Sequence, residues 1–245
     1  MIRYLLSLFI LLSADLFSQD FNYTVSTTTE TWQELNSQTI LNANNSAWNF
    51  SYKIPVGFPF TFSGRSFDSL TIEKNGYIVF DAERDYAFTA YSQLSDFADN
   101  EGDHAVLGYN LSGSNGNHIL KIQFKDLSIG SGDSRKVSYQ LWLKETGNIE
   151  FHCGPSDFCT HFTCIDTTWN EQGEMVLDSA FTSVDSTICW RIGLINQNMN
   201  AEVNGFFVQG NPLSPSGTQA DAEHEPAFLY EPSRCGTRYT FSPNN

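Results

Sequence analysis

Residues Ile54 to Asp81 read IPVGFPFTFSGRSFDSLTIEKNGYIVFD, and this stretch decides the fold class. Phe58, Phe60 and Phe62 alternate with Gly57, Pro59 and Thr61, the two-residue period of a strand with one buried face. Pro59 has no N–H to give a ladder, so the strand is expected at a sheet edge or with that side unpaired. Ser63-Gly64-Arg65 reads as a turn. Leu70 and Ile72 lead into Asn75-Gly76, two residues that tolerate the positive φ of a type I′ hairpin turn. A two-residue turn there sets Lys74 opposite Tyr77, Ile72 opposite Val79 and Leu70 opposite Asp81, with Thr71 facing Phe80 and Glu73 facing Ile78 on the other side. Apolar groups then fall on both faces. A covering layer is expected on the outer one, with the acidic stretch after Asp81 as its natural source.

Working outward, the same alternation recurs. Phe21 to Ser26 reads as a first strand, and the Thr-rich run Thr27 to Thr31 leads to a second around Trp32. Asn42 to Asn49 reads as a loop, and Asp81 to His104 as a long acidic one. Leu120, Ile122 and Phe124 alternate with Lys121, Gln123 and Lys125; Val137, Tyr139, Leu141 and Leu143 repeat the pattern. Glu145 to Asn148 turns the chain back to Ile149 and Phe151. Trp190 to Leu194, Phe206 to Val208 and Arg238 to Phe241 are further strands, and the Pro-rich Asn211 to Gly217 is a loop. Twenty Phe and ten Tyr favour pleated, half-buried surfaces, and no helical spacing is sustained beyond the N-terminal segment. The expected fold is all-β: an antiparallel β-sandwich, jelly-roll or concanavalin-like, with long loops.

The N-terminus MIRYLLSLFILLSADLFSQDF sets Arg3 before an apolar run from Leu5 to Leu12 and a polar end, the layout of a secretory signal peptide. The run is too short to span a bilayer, for which about 20 apolar residues are needed. Residues 1–18 are therefore expected to be the signal and residues 19–245 a single domain without a membrane span. Arg3 and Asp15 cancel, so that domain keeps the formal charge of −15, which argues against nucleic acid and anionic membrane as partners.

The segments GFPFTF (57–62), LTIEKNGYIVF (70–80), VSYQLWLKETGNIEFHCGPS (137–156), WRIGLINQ (190–197) and CGTRYTF (235–241) resemble a β-sandwich module of secreted proteins of Bacteroidetes-type bacteria. The pattern is also similar to the nidogen-like extracellular module, which sets a Phe-rich strand before an Asn-Gly strand. The resemblance implies secretion and a sandwich fold. It carries over no catalytic residue.

Four groups of residues are candidates for chemistry. Cys153, Cys159 and Cys164 cluster with His152 and His161, and Cys189 and Cys235 follow. Their spacing matches no standard zinc signature, and secretion favours oxidation, so disulfides are expected over a metal site or free thiols. Five cysteines admit fifteen two-bridge arrangements; the expected one closes a small loop with Cys159 and Cys164 and joins Cys189 to Cys153 or Cys235. Asp96, Asp99, Glu101 and Asp103, with Gly102 between, offer oxygens that calcium would take, although the bidentate Glu of the EF-hand pattern is missing; a solvated loop is the alternative. Trp142 falls among the polar positions of its strand, beside Gln140 and Glu150; Trp142 and Glu150 are candidate ligand-binding residues, the indole either stacking on a sugar or covered by loops. The nearest approach to a glycosidase carboxylate pair is Glu83-Arg84-Asp85, and there is no G-x-S-x-G, P-loop or H-E-x-x-H. The expectation is a secreted non-enzymatic binding or adhesion module for an extracellular protein or glycan. The alternative is a carbohydrate-binding or glycan-active protein on the same fold.

Overall fold

The computed structural model describes residues 22–42, 51–73, 77–80, 86–92, 97–98, 106–129, 136–156, 167–169, 175–177, 190–197, 203–211, 214–220 and 235–244. They form two antiparallel sheets packed face to face. The first runs, edge to edge, β1 (Tyr23–Thr29), β17 (Thr237–Pro243), β11 (Ile149–Ser156), β10 (Lys136–Lys144), β9 (Ile119–Ile129), β8 (Val106–Ser112) and β2 (Thr39–Asn42), with β7 (Phe97–Ala98) on the far end of β9. The second runs β16 (Ser214–Ala220), β15 (Val203–Asn211), β14 (Trp190–Gln197), β6 (Tyr86–Ser92), β5 (Tyr77–Val79), β4 (Arg65–Glu73) and β3 (Ser51–Phe62). A separate hairpin joins β12 (Thr167–Trp169) to β13 (Met175–Leu177). Among the described residues no helix is long and apolar enough to cross a membrane.

The aromatic strand behaves as its alternation requires. Ile54, Val56, Phe58, Phe60 and Phe62 are all buried while their neighbours face outward. Phe80 packs on Phe60, Phe62 and Phe67 at centroid distances of 5.5, 4.9 and 5.5 Å. β3 is an edge strand, so it has a ladder on one side only, and Pro59 falls where even that pairing to β4 is interrupted. Its register with β4 shifts between Pro55 and Phe60, where Gly57 takes a φ of +86°. Phe88 of β6 joins the sheets, its ring 6.1 Å from Phe151 and 5.9 Å from Phe241.

Four expectations are corrected. The two-residue hairpin is not at Asn75-Gly76: Ile72 pairs with Ile78 and Thr71 with Val79, one residue out of the expected register. That shift puts Ile72 and Ile78 together in the core, where the two-residue turn would have split them between faces. The two-residue turn is Ser63-Gly64, where φ is +48° and +77° and Phe62 pairs with Arg65. The stretch 81–104 is not one long loop, because β6 lies inside it and sits between β5 and β14. The stretch 211–217 contains the start of β16, whose Pro215 is tolerated because that strand is the other edge. No strand forms around Trp32; β1 ends at Thr29, and residues 30–38 leave the sheet. Val79 and Ala87, paired across β5 and β6, are buried although neither belongs to the central core, so the outer face is covered there.

The leader 1–18, the Asn-rich stretch 43–49, Glu83 to Asp85, the acidic residues Asp96, Asp99, Glu101 and Asp103, and Cys159, Cys164 and Cys189 lie outside the described residues. Cys153 is buried on β11 and Cys235 is exposed; they are not joined to each other.

Candidate functional site

On β9, β10 and β11 the core takes every second residue, and the residues between them turn outward. These outward residues are long and polar: Lys121 and Gln123, Gln140 and Trp142, Glu150 and His152, in register as Gln123–Gln140–His152 and Lys121–Trp142–Glu150. An outer face would normally be wet, yet Gln123, Gln140, Glu150 and His152 are 1–3% exposed. The cover is the segment 30–38, which leaves edge strand β1, crosses the sheet and becomes the opposite edge strand β2. Six strand spacings of about 4.8 Å make roughly 29 Å. Ten residue steps of about 3.3 Å reach roughly 33 Å, so this strap must run nearly extended.

An extended segment without a neighbouring strand needs other partners for its backbone. The sheet supplies side-chain amides. Gln140 Nε2 donates to Gln33 O at 2.8 Å, Leu35 N donates to Gln123 Oε1 at 2.9 Å, and Asn110 Nδ2 donates to Ser37 O at 2.8 Å. Gln140 Nε2 also donates to Gln123 Oε1 at 2.8 Å, so the amides hold one another. At the start of the strap Glu30 N donates to Gly236 O at 2.7 Å, and Gly236 N donates to Cys153 O at 2.8 Å.

Close approach explains two glycines. A Cβ on Gly108 would lie 2.5 Å from Gln38 Oε1, and one on Gly154 would lie 2.7 Å from Ser138 O and 2.8 Å from the Trp32 ring. Trp32 therefore seats on the bare backbone of β11. Gly154→Ala is expected to destabilise the protein by about 1–3 kcal/mol, because the added methyl overlaps the β10 carbonyl and the indole and forces one of them to shift. Urea denaturation followed by tryptophan fluorescence checks this, and a neutral result would mean that the strap lies elsewhere.

A line of alternating charge crosses the site. Lys144 Nζ meets Glu150 Oε1 at 2.5 Å, and Glu150 Oε2 meets His152 Nε2 at 3.2 Å. His152 Nδ1 meets Glu30 Oε1, and Glu30 Oε2 accepts from Arg238 Nη1 at 3.1 Å. Burial pushes the Glu150 carboxyl up, but hydrogen bonds from His152 and Lys144 and the charges of Lys144 and Arg238 outweigh it and hold the group at about 2. Glu30 is thus the ionic clasp between strap and sheet.

Trp142 lies between two neighbours. Lys121 Nζ sits 3.9 Å from its ring centroid, and His152 stacks at 4.0 Å. Two groups that close cannot share one face, so both faces of the indole are occupied; Nε1 donates to Gln140 Oε1 at 2.9 Å. Glu150 is spent on Lys144 and His152. The two residues singled out from the sequence are therefore neighbours, but Glu150 lies within the charge line and Trp142 presents only part of its ring.

Between strap and sheet a cavity of about 490 Å³ remains, within the size range of small-ligand sites. Its walls are Trp32, Gln33, Asn36, Asn110, Lys121 and Trp142, with Glu30, Glu34, Gln140 and His152 among the other contributors. Sequence reasoning missed the strap and Gln123; it placed His152 with the cysteines and Gln140 beside Trp142 without their part in holding the strap. The signal was present: outward positions facing one another carried long hydrogen-bonding side chains where a wet face tolerates any polar residue.

A family model described as NIDO related matches residues 22–168. The chain belongs to this NIDO-related family. The matched region holds the strap and every cleft residue named above, and stops before β14 to β17. The NIDO-related module is an extracellular type of module, in agreement with the resemblance read from the strands. No curated protein and no solved structure matches the chain.

Proposed function

We propose that the chain is a secreted, non-enzymatic binding or adhesion module, and that the cleft beneath the strap is its recognition site. The observation carrying this reading is a polar cavity of about 490 Å³ whose walls are held in place by buried amide and ionic networks. Fixed polar groups around a cavity serve recognition, because no ordering has to accompany binding. A binding role is also supported by the state of the acids. Glu30, Glu34 and Glu150 are each tied to a basic group, and the Glu150 carboxyl is shifted down, the wrong direction for a general acid near neutral pH.

Gln33 and Asn36 are exposed and line the cleft, so they test the reading without touching the core. Labelled protein is expected to bind the surface of intact producing cells saturably. The double variant Gln33→Ala with Asn36→Ala should bind at least fivefold more weakly at an unchanged melting temperature. Equal binding by the variant would reject the cleft. A carbohydrate ligand is the second reading, favoured by amides and indole edges that suit hydroxyl groups.

A further inference from the structure

We infer that the cleft takes an acidic oligosaccharide, a sugar bearing a singly charged oxyanion, with that oxyanion on Lys121. This deepens the carbohydrate reading and rests on the cleft being the recognition site.

Acids and donors in the cleft differ in how far their charge and hydrogen-bonding valence are filled. The acids of the cleft already have partners: Glu30 has His152 and Arg238, and Glu34 has Lys125 at 2.8 Å. Among the described residues Lys121 makes no ion pair within 4 Å. Its ammonium rests on one face of Trp142, and a ring face satisfies attraction without accepting all three N–H groups. Burial holds this ammonium below the usual lysine range; Glu150 opposes that shift and Lys144 adds to it. A second donor lining the cleft, Trp32 Nε1 on the strap, is buried without an acceptor among the described residues. The unfilled valences are thus donors, and one carries a whole charge. A ligand that satisfies them must bring acceptor oxygens and one negative charge.

A sugar fits the remaining walls better than a peptide. Gln33, Asn36 and Asn110 present amide groups suited to adjacent hydroxyls, while among the described residues Leu35 is the single aliphatic side chain lining the cleft, too little to anchor an apolar side chain. A neutral sugar would leave the Lys121 ammonium without an ion-pair partner. The overall charge of −15 opposes acidic polymers at long range. At about 0.15 M salt, with a screening length of about 8 Å, the distant charges fade and the contact at Lys121 persists.

The test is calorimetric titration of the full chain with three tetrasaccharides in about 0.15 M salt: oligogalacturonate, a sulfated galactan fragment and neutral galactotetraose. At least one acidic ligand is expected to bind tenfold or more tightly than the neutral one, the scale of a hydrogen-bonded charge contact. Preference for the uronate or the sulfate identifies which oxyanion the site was built for. Lys121→Met, which keeps the stem on Trp142, should reduce acidic binding to the neutral level, and Lys121→Arg should restore most of it. Trp32→Phe, which removes the N–H and keeps a ring, should weaken binding several-fold. Equal affinity for neutral and acidic ligands, no binding of either, or indifference to Lys121→Met would each overturn the inference. If the Gln33/Asn36 double variant still loses cell-surface binding in that event, the cleft survives as a recognition site for another ligand.

Discussion

Phe88→Ala is expected to destabilise the protein by about 4 kcal/mol and to lower its melting temperature by roughly 10 °C. Phe88 is 1% exposed and reaches across to Phe151 and Phe241, so its loss opens a cavity between two sheets that are each held by their own ladders. Neither sheet can collapse into the gap without breaking register, which keeps the cost within the full range for aromatic truncation. The prediction separates two pictures of residues 81–104. A solvated loop would tolerate the change within about 0.5 kcal/mol. A central strand would not. Denaturant unfolding with a shifted midpoint and an unchanged slope would establish the strand, and a negligible shift would contradict it.

Glu150→Ala should cost about 3 kcal/mol, because it leaves the His152 ring nitrogen and the Lys144 ammonium without their acceptor on a covered face. The loss should spread to the strap, since His152 also holds Glu30. Hydrogen exchange at the Leu35 amide, which donates to Gln123, is the local readout; protection unchanged from wild type would separate the charge line from the strap. The same carboxylate sets an acid limit. Its value is about 2 when folded, against 4.5 for an ordinary glutamate. The unfolded chain therefore takes up this proton first as pH falls. The stabilisation is fully present above pH 4.5 and disappears as the pH falls through about 2. Urea midpoints measured between these limits should fall more steeply for the wild type than for Glu150→Gln. Parallel curves would mean that Glu150 titrates alike in both states.

Legibility in the sequence followed the range of the interaction. The core alternation of Phe58 to Phe62, Leu120 to Phe124 and Val137 to Leu143 was readable because a period of two reflects one neighbour surface and nothing further away. The edge position of β3 was readable from Pro59, a residue that a central ladder excludes. Asn75-Gly76 misled by one residue. Turn propensity alone favours the two-residue loop, but only the shifted register brings Ile72 and Ile78 together into the core. β6 was hidden because acidic residues surround Tyr86 to Ser92, and its burial comes from strands distant in the chain. The strap left no periodic trace, since its partners are side chains 73 to 107 positions away.

The sequence by itself determined the all-β class, the faces of the central strands and the edge strand. These depend on local conformational preference and on the partition of apolar groups, which each short segment expresses on its own. Only the tertiary structure decided that an outer face would be covered, that Trp142 would lie between Lys121 and His152, and that a polar cleft would remain beneath residues 30–38. The reason is geometric. The strap joins the two edges of one sheet, and strand order, which brings Glu30 to Arg238 across 208 positions, is set by the summed packing of all strands.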